Sequence, residues 1–197
     1  MQAAWPQLDL LVNNAGVSGS GEVGQYPLEN WRWMVGIDLW GPILGCHTMV
    51  DWLKRNPSGA HIINTASLAA ICMVPTMAAY NVCKAGVLAL SETLYAELKK
   101  HRIGVTVLCP SFFHTNLLSI SRMQTHEELD LADRAMRGSS FTADDVAAAA
   151  IRAMKRKRLY VILPLKGRIF WRLKRMIPEE FLWFVGQQFK KGLPKKL

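Results

Sequence analysis

The stretch Leu8-Asp9-Leu10-Leu11-Val12-Asn13-Asn14-Ala15-Gly16 starts as an apolar run and ends in a small-residue turn, followed by a Gly/Ser-rich loop to Gly24. An apolar run that stops at turn residues reads as a buried strand. Three later runs repeat it, at residues 60–65, 105–109 and 159–163. Helical patterns lie between them. Over 27–56, Trp31, Met34, Val35, Leu39, Ile43, Leu44 and Val50 recur near helical spacing, and Gly36, Gly41 and Pro42 predict a break inside that helix. Residues 77–101 read as a strong helix ending in Lys99, Lys100 and His101, cations that suit the negative end of its dipole. A helix is expected near 127–136 within an otherwise irregular stretch. Another starts at Thr142, a plausible N-cap followed by Asp144 and Asp145. Strands alternating with helices predict an α/β fold, a doubly wound parallel sheet of about four strands covered on both faces.

The chain has 197 residues, half of them hydrophobic and a fifth charged, which supports a real core and excludes a disordered chain. Its net charge of +9 is uneven. Residues 1–150 hold 10 Lys/Arg and 13 Asp/Glu, whereas 151–197 hold 14 Lys/Arg and 2 Asp/Glu. The basic character therefore belongs to the tail. Division into a catalytic unit at 1–165 and a basic appendage of amphipathic helices at 166–197 is expected. In the appendage Ile169, Phe170, Leu173, Met176 and Ile177 alternate with Arg168, Arg172, Lys174 and Arg175. A second helix opens at Pro178-Glu179-Glu180, carries Phe181 to Phe189, and closes at Lys190-Lys191-Gly192. Its apolar stripe either packs on the body or lies on an anionic membrane surface. Nucleic-acid binding has no supporting fold. Cys46, Cys72, Cys83 and Cys109 form no metal or redox spacing and read as buried thiols. The five histidines are scattered, so no metal site is expected. No uncharged apolar run reaches the ~18 residues of a membrane span, and no secretory leader is visible. A cytoplasmic protein is the expectation, with peripheral attachment to a membrane through its tail as an alternative.

Chemistry concentrates in Tyr80-Asn81-Val82-Cys83-Lys84, inside the long helix. Residues four apart share one helix face. A free phenol has a pKa of ~10, and a neighbouring ammonium favours its anion. Such a pair can exchange a proton with a substrate hydroxyl or carbonyl. Ser67 ends the second strand, where α/β sheets place reactive groups, and can reach the same substrate oxygen.

Taken in order, Asn13-Asn14-Ala15-Gly16, Ile37-Asp38-Leu39-Trp40-Gly41, Ser67, Tyr80 with Lys84, and Pro110-Ser111 with Thr115 resemble the short-chain dehydrogenase/reductase family over about residues 8–165. The resemblance implies a partial Rossmann-like domain, NAD or NADP as cofactor, and hydride transfer between that cofactor and an alcohol or ketone. It implies Tyr80 as general acid/base, Lys84 as the group that tunes Tyr80 and holds the ribose hydroxyls, and Ser67 as the residue that orients the substrate oxygen. Asp38 joins them as a catalytic candidate. Asn13, Ala15, Gly16, Tyr80, Lys84, Pro110, Ser111, Phe113 and Thr115 are the implied cofactor-binding residues. Leu117, Leu118, Ile120 and Met123 occupy the substrate lid, and their character implies a hydrophobic substrate. A homo-oligomer is also implied.

Several positions depart from the family pattern. Asp38 stands for the usual asparagine, Ser111 for glycine and Phe113 for a smaller aliphatic. The family's opening glycine-rich phosphate turn is not in the chain, which is expected to start at the family's fourth strand. Weak cofactor binding and an uncovered apolar edge on the 8–12 strand follow as expectations for the isolated monomer. The rival reading is a catalytically silent fragment that serves as a membrane-surface or protein-interaction module.

Overall fold

The computed structural model describes residues 5–190. The elements run β1 (Leu10–Asn13), β2 (Gly19–Ser20), α1 (Leu28–Met34), a π-helical turn (Val35–Trp40), α2 (Gly41–Lys54), β3 (Ala60–Thr65), α3 (Ala69–Cys72) and α4 (Ala78–Leu98). There follow β4 (Ile103–Pro110), a 3-10 turn (Asn116–Ile120), β5 (Arg122–Met123), α5 (His126–Arg137), α6 (Ala143–Lys155), β6 (Tyr160–Leu163), α7 (Leu165–Met176) and α8 (Pro178–Lys190).

The main sheet has the order β1-β3-β4-β6, and every pairing in it is parallel. Asn13 lies opposite Asn64, Thr65 opposite Leu108, and Pro110 opposite Leu163. The carboxyl ends of all four strands therefore meet at one edge. The period-2 alternation of strands sorts their side chains between two helical layers. Ile62, Val105 and Val107 turn toward α2 and α4, while Ile63, Leu108 and Val161 turn toward Ala150 and Ala153 of α6. Each such aliphatic side chain contributes ~1.5–3 kcal/mol by leaving water. At the edge strand, Leu11 packs toward α2. Leu10 and Val12 point the other way and remain 36% and 50% exposed.

The break expected near Gly36–Pro42 is instead a π-helical turn that joins α1 to α2. Pro42 has no N–H to give the carbonyl of Asp38 four residues back, and the helix widens there rather than ending. Thr142 caps α6 as expected, through a reciprocal pair with Asp145. The small parallel pair β2–β5 arises where a loop was expected. Two-residue strands carry too little periodicity to be seen in a sequence.

Helices α7 and α8 lie against the body. Gly167 approaches Leu68 and Ile162 so closely that a Cβ would meet both at 3.0 Å. Phe181 is buried in the cluster that holds Val107 and Ile162, with Phe170, Trp171 and Val185 packed around it. Lys174 donates from Nζ to the Ile71 carbonyl at 2.7 Å. The stop expected at Lys190-Lys191-Gly192 falls partly on residues 191 and 192, outside the described residues. All four cysteines are buried and free.

Candidate active site

Strand β3 delivers Ser67 to the carboxyl edge of the sheet, and the first turns of α4 carry Tyr80 and Lys84 beside it. A cavity of about 1200 Å³ opens at this edge. Ser67, Tyr80 and Lys84 all line it, as do Ala15, Gly16, Pro110, Ser111, Phe113 and Thr115.

Lys84 is buried, with Nζ 5.4 Å from the Tyr80 ring centroid. It donates to the Thr65 carbonyl at 3.4 Å and stands 3.6 Å from Asp38 Oδ1. An ammonium has three N–H donors, and these two partners leave one for the cavity. Gly16 is required by close approach here. A Cβ on it would lie 2.9 Å from Asp38 Oδ1 and 3.2 Å from Lys84 Nζ.

The Ser67 hydroxyl accepts from the Ala69 N–H at 3.1 Å and reaches the Pro110 carbonyl at a long 3.5 Å. The same hydroxyl also pulls the Tyr80 phenol down, toward the anion. Burial nevertheless pushes the Tyr80 phenol above its ordinary value of 10.0, against the opposing pull of Lys84 and Ser67. Asp38 adds to the rise through its own negative charge. The lysine pull expected from the sequence is present, but desolvation exceeds it. A neutral phenol at neutral pH is the result.

Asp38 stands apart from the other candidates. It is fully buried behind Lys84 and does not line the cavity. Its Oδ1 accepts from the Val17 N–H at 2.8 Å, while Oδ2 has no hydrogen-bond partner. Burial raises its carboxyl above the usual range, and Lys84 and the Val17 N–H offset part of that. It acts on the site only through Lys84 and Tyr80.

Asn13 stands apart from the cavity as well, and braces β1 against β3. Its side chain turns away from the cavity and donates to Asn64 Oδ1 at 2.8 Å and to Cys46 Sγ at 3.3 Å. Its neighbour Asn14 lines the cavity instead, and accepts from the Thr65 hydroxyl at 3.0 Å. Thr115 lines the cavity while its hydroxyl caps the Leu117 N–H at 3.2 Å. Cys83, between Tyr80 and Lys84, is fully buried, and desolvation pushes its thiol up to about 11. His114 is exposed and does not line the cavity.

The walls are carbon-rich. Leu117, Leu118, Ile120 and Met123 form one side, as expected. The other sides were not anticipated: Leu131 and Met136 from α5, Val146 and Ala150 from α6, Phe170 from α7, and Phe181, Phe184 and Phe189 from α8. The i, i+3, i+8 spacing of those α8 phenylalanines was visible, but nothing in the sequence showed what surface they would meet.

Residues 1–126 match the family model described as short chain dehydrogenase. A probable oxidoreductase, EphD, of Mycobacterium tuberculosis is 27% identical over 179 residues. That match covers 87% of this chain but only 30% of the mycobacterial protein, so the chain spans well under half of that relative. The 1-deoxy-11-beta-hydroxypentalenate dehydrogenase of Streptomyces arenae is 32% identical over 195 residues, covering 89% of this chain and 66% of that one. A short chain dehydrogenase/reductase from Burkholderia phymatum, crystallised in complex with NAD, superposes with a TM-score of 0.83. It is 29% identical, over 91% of this chain and 69% of that chain.

Proposed function

The chain belongs to the short-chain dehydrogenase/reductase family, and on that premise we propose that it interconverts a hydroxyl and a carbonyl on an apolar substrate. The observation that carries the reading is the convergence of Ser67, Tyr80 and Lys84 on one apolar cavity.

The residues fit the nicotinamide end of NAD or NADP. Lys84 keeps one N–H for sugar hydroxyls, and Asn14, Ala15 and Gly16 bring bare backbone beside it. The volume exceeds the ~300–1,000 Å³ of an ordinary ligand pocket, room for a cofactor half and a substrate together. When bound, the dinucleotide supplies the hydride. Tyr80, neutral at pH 7, gives its phenolic proton to the developing alkoxide when a ketone is reduced, and recovers it when an alcohol is oxidised. Ser67 releases its long bond to Pro110 and donates to the same oxygen. Lys84 reduces the cost of the phenolate left behind.

Carbon-rich walls exclude water and reward apolar surface, so the substrate class is a hydrophobic alcohol or ketone. Self-association through the outward faces of the π-helical turn, α2 and α4 belongs to the same reading. Trp40, Leu44 and Val82 are more than half exposed there, and Tyr95 is 37% exposed.

The test is reduction of a panel of apolar ketones by the purified chain with NADH or NADPH, followed by loss of nicotinamide absorbance. Turnover that falls ~10²–10⁴-fold in Tyr80→Phe is the expected outcome. No turnover with any ketone and either dinucleotide overturns the activity and leaves the non-catalytic interaction module standing.

A further inference from the structure

Helix α7 carries two apolar stripes. One faces the body, through Gly167, Phe170, Trp171 and the stem of Lys174. The other is bare. Leu165, Ile169, Leu173 and Met176 recur at i, i+4, i+8 and i+11, and fall within about 80° of one another at about 100° per residue. They are 66%, 58%, 39% and 77% exposed. A helix that only needed to cover the body would be polar on this side.

Cations flank the bare stripe. Arg168, Arg172 and Arg175 border it on one side and Lys166 on the other, all exposed. Just past the stripe, Ile177, Leu182 and Trp183 continue the apolar surface, and Trp183 is 68% exposed. Residues 165–190 hold six Lys/Arg against Glu179 and Glu180. Apolar side chains ringed by arginines, with an outward tryptophan, match the boundary between acyl chains and anionic headgroups. No helix among the described residues is long and apolar enough to cross a membrane, so the match is to a surface. A second copy of the chain fits worse. A two-fold contact through this stripe sets its arginine row near the partner's arginine row.

The bare stripe also borders the cavity. Lys166 and Phe170 occupy the next sector around α7, and both line the cavity. Phe184 lines the cavity while remaining 48% exposed.

We infer that α7 and the start of α8 dock this chain on an anionic lipid surface, with the mouth of the apolar cavity at the contact. Bilayer-dissolved alcohol or ketone then reaches the cavity without crossing water. The docking stands on the stripe and its cations, and only the use of that route rests on the proposed activity.

The experiment is flotation of the full chain with phosphatidylcholine vesicles, with and without phosphatidylserine. Three proteins are compared: wild type, Arg168→Gln/Arg172→Gln, and Ile169→Glu/Met176→Glu. Binding of a dansylated fatty alcohol without vesicles serves as the control that fold and cavity are intact. Wild type is expected to partition at least tenfold more onto the anionic vesicles. Both variants should lose at least tenfold of that while binding the dansyl probe unchanged. Wild type that ignores anionic vesicles, or variants that bind them like wild type, overturns the docking. A dimer that the Ile169→Glu/Met176→Glu variant dissociates, without vesicle binding by wild type, assigns the stripe to a second copy and also overturns it. Vesicle binding without ketone turnover sustains the docking and removes only the proposed activity. Turnover of soluble ketones without vesicle binding does the reverse.

Discussion

Asp38 places one carboxylate oxygen 3.6 Å from Lys84 Nζ and leaves the other without a hydrogen-bond partner. The anion therefore answers the ammonium that would otherwise act on Tyr80 alone, and it raises the phenol directly as well. Asp38→Asn removes that charge and keeps an oxygen for the Val17 N–H. The Tyr80 pKa should fall. In ketone reduction, which needs the neutral phenol, the alkaline loss of kcat/KM should then begin at lower pH than in wild type. In alcohol oxidation, which needs the phenolate, the rising limb should move the same way. A pH–rate profile of the variant that overlays wild type would remove Asp38 from the electrostatics of the site.

Ser67→Ala deletes the second donor to the substrate oxygen. A drop of ~10²-fold in kcat, with KM changed far less, is the expected result for a group that acts on developing charge. The Ala69 N–H also loses its acceptor, worth ~1 kcal/mol in a chemical denaturation curve. A raised KM with kcat unchanged would instead make Ser67 a ground-state binding residue.

His61 gives the fold a predictable acid limit. The Thr106 hydroxyl donates its only proton to the Arg158 carbonyl at 2.8 Å, so it must accept from His61 Nε2, also at 2.8 Å. Burial, followed by the Lys157 charge, holds the ring's pKa down to about 4 and so keeps it neutral near pH 7. An unfolded chain, with a histidine near ~6.5, binds that proton sooner. Stability is therefore full above pH ~6.5 and falls as pH drops toward ~4, by at most ~3 kcal/mol from this group. Urea unfolding at pH 7 and pH 5 measures it. In Thr106→Val the ring loses its acceptor, and ~1–3 kcal/mol should disappear at pH 7.

Gly45→Ala tests the network behind the sheet. A methyl there collides with the Asn13 side-chain amide oxygen. Asn13 holds Asn64, and Asn64 donates to Ser91 Oγ at 3.0 Å. Overpacking of this kind costs ~1–3 kcal/mol, visible as a lower thermal midpoint. An unchanged midpoint would mean that Asn13 moves freely and does not brace β1.

Phe181→Ala should cost ~3–5 kcal/mol, because Phe181 is buried in the core cluster and walls the cavity at once. The same variant should bind a dansylated fatty alcohol more weakly. Loss of stability without loss of probe affinity would separate the core from the wall.

What the sequence made legible follows the strength of local signals. The strand at 60–65 was delimited to the residue because Pro57-Ser58-Gly59 precedes it and a small-residue turn follows. Ser67, Tyr80 and Lys84 stood out because their types and spacing constrain one another. The Tyr80 pKa did not, because its sign depends on how much protein surrounds the ring, and adjacent residues do not report that. Which of Asn13 and Asn14 faces the cavity was not legible, because Leu10, Leu11 and Val12 are all apolar and alternation alone does not say which face meets it. The α7 sequence reads as one amphipathic helix, yet Phe170 and Ile169 end on different faces with different neighbours. Periodicity reports that a helix has an apolar side, and only tertiary contact divides that side in two.

The groups proposed to move a proton come from residues 67–84, whereas most of the cavity wall proposed to meet a substrate comes from residues 112–189. Reaction type and molecular taste are thus written in separate stretches of chain. Replacing Phe184 or Leu131 should therefore reshape what the cavity admits while leaving the Tyr80 phenol untouched.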